Sequence, residues 1–174
     1  MSIRDAGIMT DLKRFIESQK MLAATQAQVG WTRRRERWVS ELALLFGWIG
    51  HQLEAAGLGP DAFEQPSVKL HEESLGHYEA PSLSVRLPTG LWVDFNPRAT
   101  VIIGGYGRVD VQSRHALKQI RLIALDADED RESDDHMAAD AREWAWRVFP
   151  ATGTAGSYPL DAAGLGQIFA DLLD

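Results

Sequence analysis

Within Leu91–Gln112, LWVDFNPRATVIIGGYGRVDVQ, five residues could do chemistry: Asp94, Arg98, Tyr106, Arg108 and Asp110, with Trp92 beside them. Two carboxylates, two guanidinium groups and a phenol on neighbouring strands would suit a polar ligand or the site of a small enzyme. Asp94, Arg108 and Asp110 alternate with Val93, Phe95, Val109 and Val111. Normal pairing therefore puts all three charges on the face opposite the core. On a solvated face such Asp–Arg pairs contribute less than about 1 kcal/mol each. Trp92 on that polar face needs a cover: the helices, a second subunit or a partner protein.

Other candidate motifs fail on their requirements. Gly104-Gly105-Tyr106-Gly107 lacks the Lys-Ser/Thr and the following helix of a phosphate loop, and Arg108–Val111 alternates as a strand instead. The glycines read as the turn of a hairpin. A magnesium-dependent nuclease core needs Glu-x-Lys on the second strand, where Asp110-Val111-Gln112 stands. The alternating acids from Asp126 to Asp134 begin like a calcium loop, but Arg131 and Met137 occupy the places of its glycine and bidentate glutamate. His51, His71, His77, His115 and His136 have no metal-ligand spacing, although His71 and His77 fall on adjacent candidate strands among glutamates. Ser113-Arg114-His115 lies in no nucleophile-elbow context. The expectation is no catalytic residue, metal or cofactor.

The 174 residues carry a formal net charge of −7 and no cysteine, so disulfides and thiolate metal sites are excluded. The charge is uneven, with residues 1–60 at +2 and residues 61–174 at −9. An acidic second half speaks against a grip on nucleic acid and for a basic protein partner. The basic cluster Arg33-Arg34-Arg35-Glu36-Arg37 is expected to pair with that acidic half; used alone, it would be the weaker, nucleic-acid reading. No apolar run is long enough to span a membrane, and the N-terminus has no signal core, so a bacterial-type cytoplasmic protein is the default.

The elements that must position these residues follow from periodicity. From a cap at Thr10 or Asp11, Leu12, Phe15, Leu22 and Val29 recur at helical spacing, with Gln19 and Gln26 at two places in the seam. Trp38, Leu42, Leu45, Ile49 and Leu53 form a second stripe, which Gly57–Pro60 ends. Gly30 predicts a break and Thr32 a second cap, giving a helical hairpin or one long kinked helix.

From Ser67 the period falls to two: Val68/Leu70, Leu83/Val85/Leu87 and Leu91/Val93/Phe95, the last two joined at Pro88–Gly90. Thr100–Ile103 predicts a central strand, and Arg108–Gln112, Ile120–Leu125 and Trp144–Val148 predict three more. Asp161 opens a closing helix.

The expected fold is α+β. A helical element at 1–60, able to dimerise through residues 10–57, precedes an antiparallel meander of about five to seven strands and a C-terminal helix at 61–174. Six tryptophans add to the case for protein contacts. The expected function is a non-enzymatic interaction module of the inhibitor, immunity or adaptor type. The alternative is a small enzyme or ligand-binding domain built on Asp94, Tyr106, Arg108 and Asp110.

Overall fold

The computed structural model describes residues 3–131, 139–150 and 156–174. The fold is α+β: a long N-terminal helix, a seven-stranded antiparallel sheet and a C-terminal helix. Helix α1 runs unbroken over Ile3–Ala55. Of the two expected forms, the single helix is formed and the hairpin is not. Gly30 stays helical, and Thr32 does not cap, because its hydroxyl donates back to the Gln28 carbonyl within the helix. The helix also begins before Thr10. Its end is closed by Leu58 N–H to Leu53 and Gly57 N–H to Glu54, the paired bonds of a Schellman motif.

The two halves of α1 live in different surroundings. From Trp38 onward one face is core: Trp38, Leu42, Leu45, Phe46 and Ile49 are all buried. At roughly 2 kcal/mol for each side chain, that stripe supplies on the order of 10 kcal/mol of hydrophobic stabilisation. Residues 11–25 are exposed throughout.

After α1 come β1 (Phe63–Glu64), β2 (Ser67–Glu72), β3 (Gly76–Pro81), β4 (Leu83–Arg86) and β5 (Trp92–Ala99). Then follow β6 (Gly107–Ser113), β7 (Gln119–Asp126), β8 (Trp144–Phe149), β9 (Tyr158–Pro159) and α2 (Ala162–Leu173). The main sheet has the order β1-β4-β5-β6-β7-β8-β9, every pair antiparallel, and β2 and β3 form a separate hairpin. Asp161 caps α2, its carboxylate accepting from Gly164 N–H at 2.7 Å.

One face of the main sheet is covered. Val93, Phe95, Val109, Val111, Ile120 and Leu122 point into a core shared with α1, α2 and the β2–β3 hairpin. Phe95 meets Phe46 of α1 and Phe169 of α2 edge to face. Among the described residues, no helix packs on the other, open face.

Thr100–Ile103 is a correction. It is no strand: β5 ends at Ala99, and residues 100–106 form a loop with a single bridge between Ile102 and Gly105. Ile103 is fully exposed. Backbone groups that a strand would have given to a neighbour are taken by side chains. Glu72 accepts from the N–H groups of Thr100 and Val101, and the Thr100 carbonyl accepts from Arg34. Gly104 turns the loop at φ 80°, as the glycine run predicted.

Candidate functional site

The structure distributes the six candidate residues over three groups. In the first, Asp94 on β5 is gripped by Arg114, just past β6, through Nε and Nη2 at 2.9 Å each, and the Ser84 hydroxyl donates to it at 2.7 Å. The Arg114 guanidinium also lies 4.6 Å from the Trp92 ring centre, so the cover that Trp92 requires comes from the chain itself. Partial burial works to raise the Asp94 carboxyl, but the bonds from Arg114 and Ser84 outweigh it and hold the group below its ordinary value.

The sign of the pH effect follows. The Asp94 contribution is complete above the unfolded value near about pH 4 and is lost as pH falls through the lower folded value. An acid titration followed at the Asp94 carboxyl carbon by NMR should find its midpoint below that of an unfolded aspartate.

In the second group, Asp110 on β6 is nearly buried and sits between two arginines. Arg108 Nε lies 2.7 Å from Oδ1 and Arg98 Nε 3.3 Å from Oδ2. Pairing of Asn96 with Asp110, and of Asp94 with Gln112, puts these two groups on the same open face, as alternation predicted.

Tyr106 belongs to neither. It is fully buried on the core side of the sheet and stacks on Trp144. Its hydroxyl donates to Asp126 at 2.9 Å and accepts from Arg142 at 3.1 Å. Burial, with Asp126 adding to it, raises the phenol above its ordinary value despite the opposing Arg142. Tyr106 therefore cannot reach a ligand on the open face, and the four-residue cluster Asp94, Tyr106, Arg108 and Asp110 does not assemble.

Three arginines of α1 bond into the second half of the chain. Arg34 is buried and donates to the Thr100 hydroxyl and to the carbonyls of Thr100 and Tyr106. Arg35 donates to the Leu75 carbonyl, and Arg37 donates to those of Asp140 and Arg142. These hydrogen bonds run to carbonyl oxygens and to the Thr100 hydroxyl, and Asp140 and Glu72 also lie close enough to Arg34 to favour its charge. Arg37 also bonds Glu41 one turn away in its own helix.

Among the described residues, no group of three or more His, Asp or Glu could hold a metal ion. His71 and His77 pair across β2 and β3 with rings 4.2 Å apart. Of the acidic loop, Asp126 is buried and turned inward, and Glu132, Asp134 and His136 lie outside the described residues. The nearest concavity is an open hollow of about 520 Å³ beside Asp94, Gln112, Arg114, His115 and Leu117. Its carboxylate is already neutralised, which suits binding better than proton transfer.

The open face also carries residues that sequence reading passed over. Strand register adds Arg86 opposite Trp92, Arg121 opposite Asp110, and Arg147 opposite Ile123. With Arg98, Arg108 and Arg114, six arginines stand there against the carboxylates of Glu64, Asp94 and Asp110. Arg86, Arg121 and Arg147 each lie in a period-two strand, so their direction was readable from alternation; their shared face depended on the pairing. No family model, characterised protein or solved structure matches the chain. No helix among the described residues is long and apolar enough to cross a membrane.

Proposed function

We propose that the protein is a non-enzymatic interaction module whose open sheet face docks an acidic protein segment. The observation that carries this is the charge of that face. Six arginines meet three carboxylates there, in a chain whose net charge is −7. Partner sign is set by the local field rather than by the total, because exposed charges further off than about 10 Å are screened. The composition supports a protein partner over nucleic acid. The face holds arginine without lysine, together with Trp92 and the half-buried Ile123, Leu125 and Phe149, as interface centres do.

A basic partner is the second reading. The exposed acids Glu73, Glu79, Asp128, Glu129 and Asp130 favour it, and they lie at the β2–β3 hairpin and the β7–β8 connection, away from the open face.

Among the described residues, neither Arg86 nor Arg121 makes an ion pair. Replacing both by glutamine should leave the fold intact and weaken binding of a fluorescent polyglutamate peptide roughly tenfold, mainly through slower association. Anisotropy titrations with that peptide, polylysine and duplex DNA separate the readings. Unchanged peptide binding in the double variant, or preference for polylysine or DNA, would sink the proposal.

A further inference from the structure

Among the described residues, nothing covers residues 11–25 of α1. Phe15 is 57% exposed and Leu22 52%, with Leu12 and Ile16 beside them. Leu12, Phe15, Gln19 and Leu22 fall on the first and fourth places of a seven-residue repeat, which the sequence continues with Gln26 and Val29. That is the seam of a two-stranded coiled coil.

We infer that this seam pairs two copies of the chain, parallel and in register. Three observations favour a second copy. First, the amide of Gln19 both donates and accepts, so it is satisfied by an identical amide, and a parallel pair sets Gln19 against Gln19. Second, the flanking positions between Leu12 and Gln26, which are Ile16, Ser18, Ala23 and Thr25, are uncharged, and the one charged flanking residue, Asp11 at the start of the seam, would face Ile16 of the second copy. Lys13, Arg14, Glu17 and Lys20 fall on the outer places, so none of these charges is buried by the pairing. Third, the line of the seam continues along Arg33, Glu36 and Ser40, which are exposed, while Arg34, Trp38 and Leu42 face the core. A helix laid along the seam therefore meets no part of the sheet.

The repeat is short, and a free peptide of this length would be a marginal helix. Here residues 30–55 are already held in the folded core, so the helix is nucleated before it meets its partner. This pairing does not depend on what the open sheet face binds.

The chain has no cysteine, which makes the test clean. In the full chain, Gln19→Cys should form a disulfide-linked dimer on mild oxidation, and Lys13→Cys, on an outer place, should not. Sedimentation equilibrium of the unsubstituted protein should give twice 19.3 kDa. Leu22→Glu should weaken association roughly a hundredfold or more without changing the melting of the sheet domain. A monomeric parent protein, equal cross-linking at Lys13→Cys, or a Leu22→Glu variant that still dimerises would overturn the inference.

Discussion

Gly107→Ala should be among the most damaging single substitutions in this protein, although it adds one methyl group. A β-carbon at residue 107 would stand 2.2 Å from Trp38 Cζ3 and within 3 Å of two further ring atoms. Backbone conformation is not the obstacle, because Gly107 has no positive φ. The obstacle is that Trp38 is wholly buried, with Trp146 at 6.2 Å on another side, and has nowhere to move. Overpacking of this kind costs about 3 kcal/mol, at the upper end of its usual range. In a chain of this size that lowers the melting temperature by roughly 6–12 °C. Calorimetry checks the loss, and a double-mutant cycle checks the cause. In a Trp38→Leu background the Gly107→Ala penalty should shrink, with a coupling of about 1 kcal/mol or more. If the two penalties simply add, the ring contact is not what makes glycine necessary.

Arg34→Ala should be comparably harmful for a different reason. Arg34 is 1% exposed, and burial pulls its pKa down to about 10, with Asp140 and Tyr106 opposing, so it remains charged at neutral pH. It lies over the rings of Tyr106 and Trp144 and ties α1 to the 100–106 loop. Truncation leaves a void and takes the Arg34 hydrogen bond from the Thr100 carbonyl, while the Tyr106 carbonyl keeps the Thr100 hydroxyl as donor, at an expected cost of about 3–5 kcal/mol. Arg34→Met separates the two contributions. It fills the space and removes the desolvation cost of the cation, so the remaining loss of about 1–3 kcal/mol belongs to the lost hydrogen bonds, chiefly that to the Thr100 carbonyl. Urea melts of both variants measure the difference. A methionine variant as stable as the parent would mean that the hydrogen bonds contribute nothing net, leaving arginine here to position the loop.

These two sites also mark where sequence reading stops. The buried stripe Trp38, Leu42, Leu45 and Ile49 was legible because helical spacing is local, and β5, β6 and β7 were legible because alternation is local. Gly107 was legible only as part of a turn: nothing in GGYG says that a tryptophan 69 positions earlier rests on its third glycine. Thr100–Ile103 misled because its apolar composition suits a strand, while the partners that hold it as a loop, Glu72 and Arg34, are remote in sequence. The candidate carboxylates were placed on the correct face by parity. Their neighbours Arg86, Arg121 and Arg147 joined them only through register, which also decides the local sign of charge. Tyr106 was assigned to the same site by proximity in sequence and went to the opposite side of the sheet.

The unbroken course of α1 has a mechanical consequence. Its 53 residues span about 80 Å at 1.5 Å per residue, with no proline anywhere along them. One end is clamped by the sheet and the other projects beyond it, so the helix is a cantilever. Whatever holds the projecting end sets the distance and the azimuth of the sheet domain together, since a continuous backbone transmits torsion as well as reach. Inserting residues before Gly30 would then swing the domain by about 100° for each one added, and seven would nearly restore its heading while moving it about 10 Å farther out.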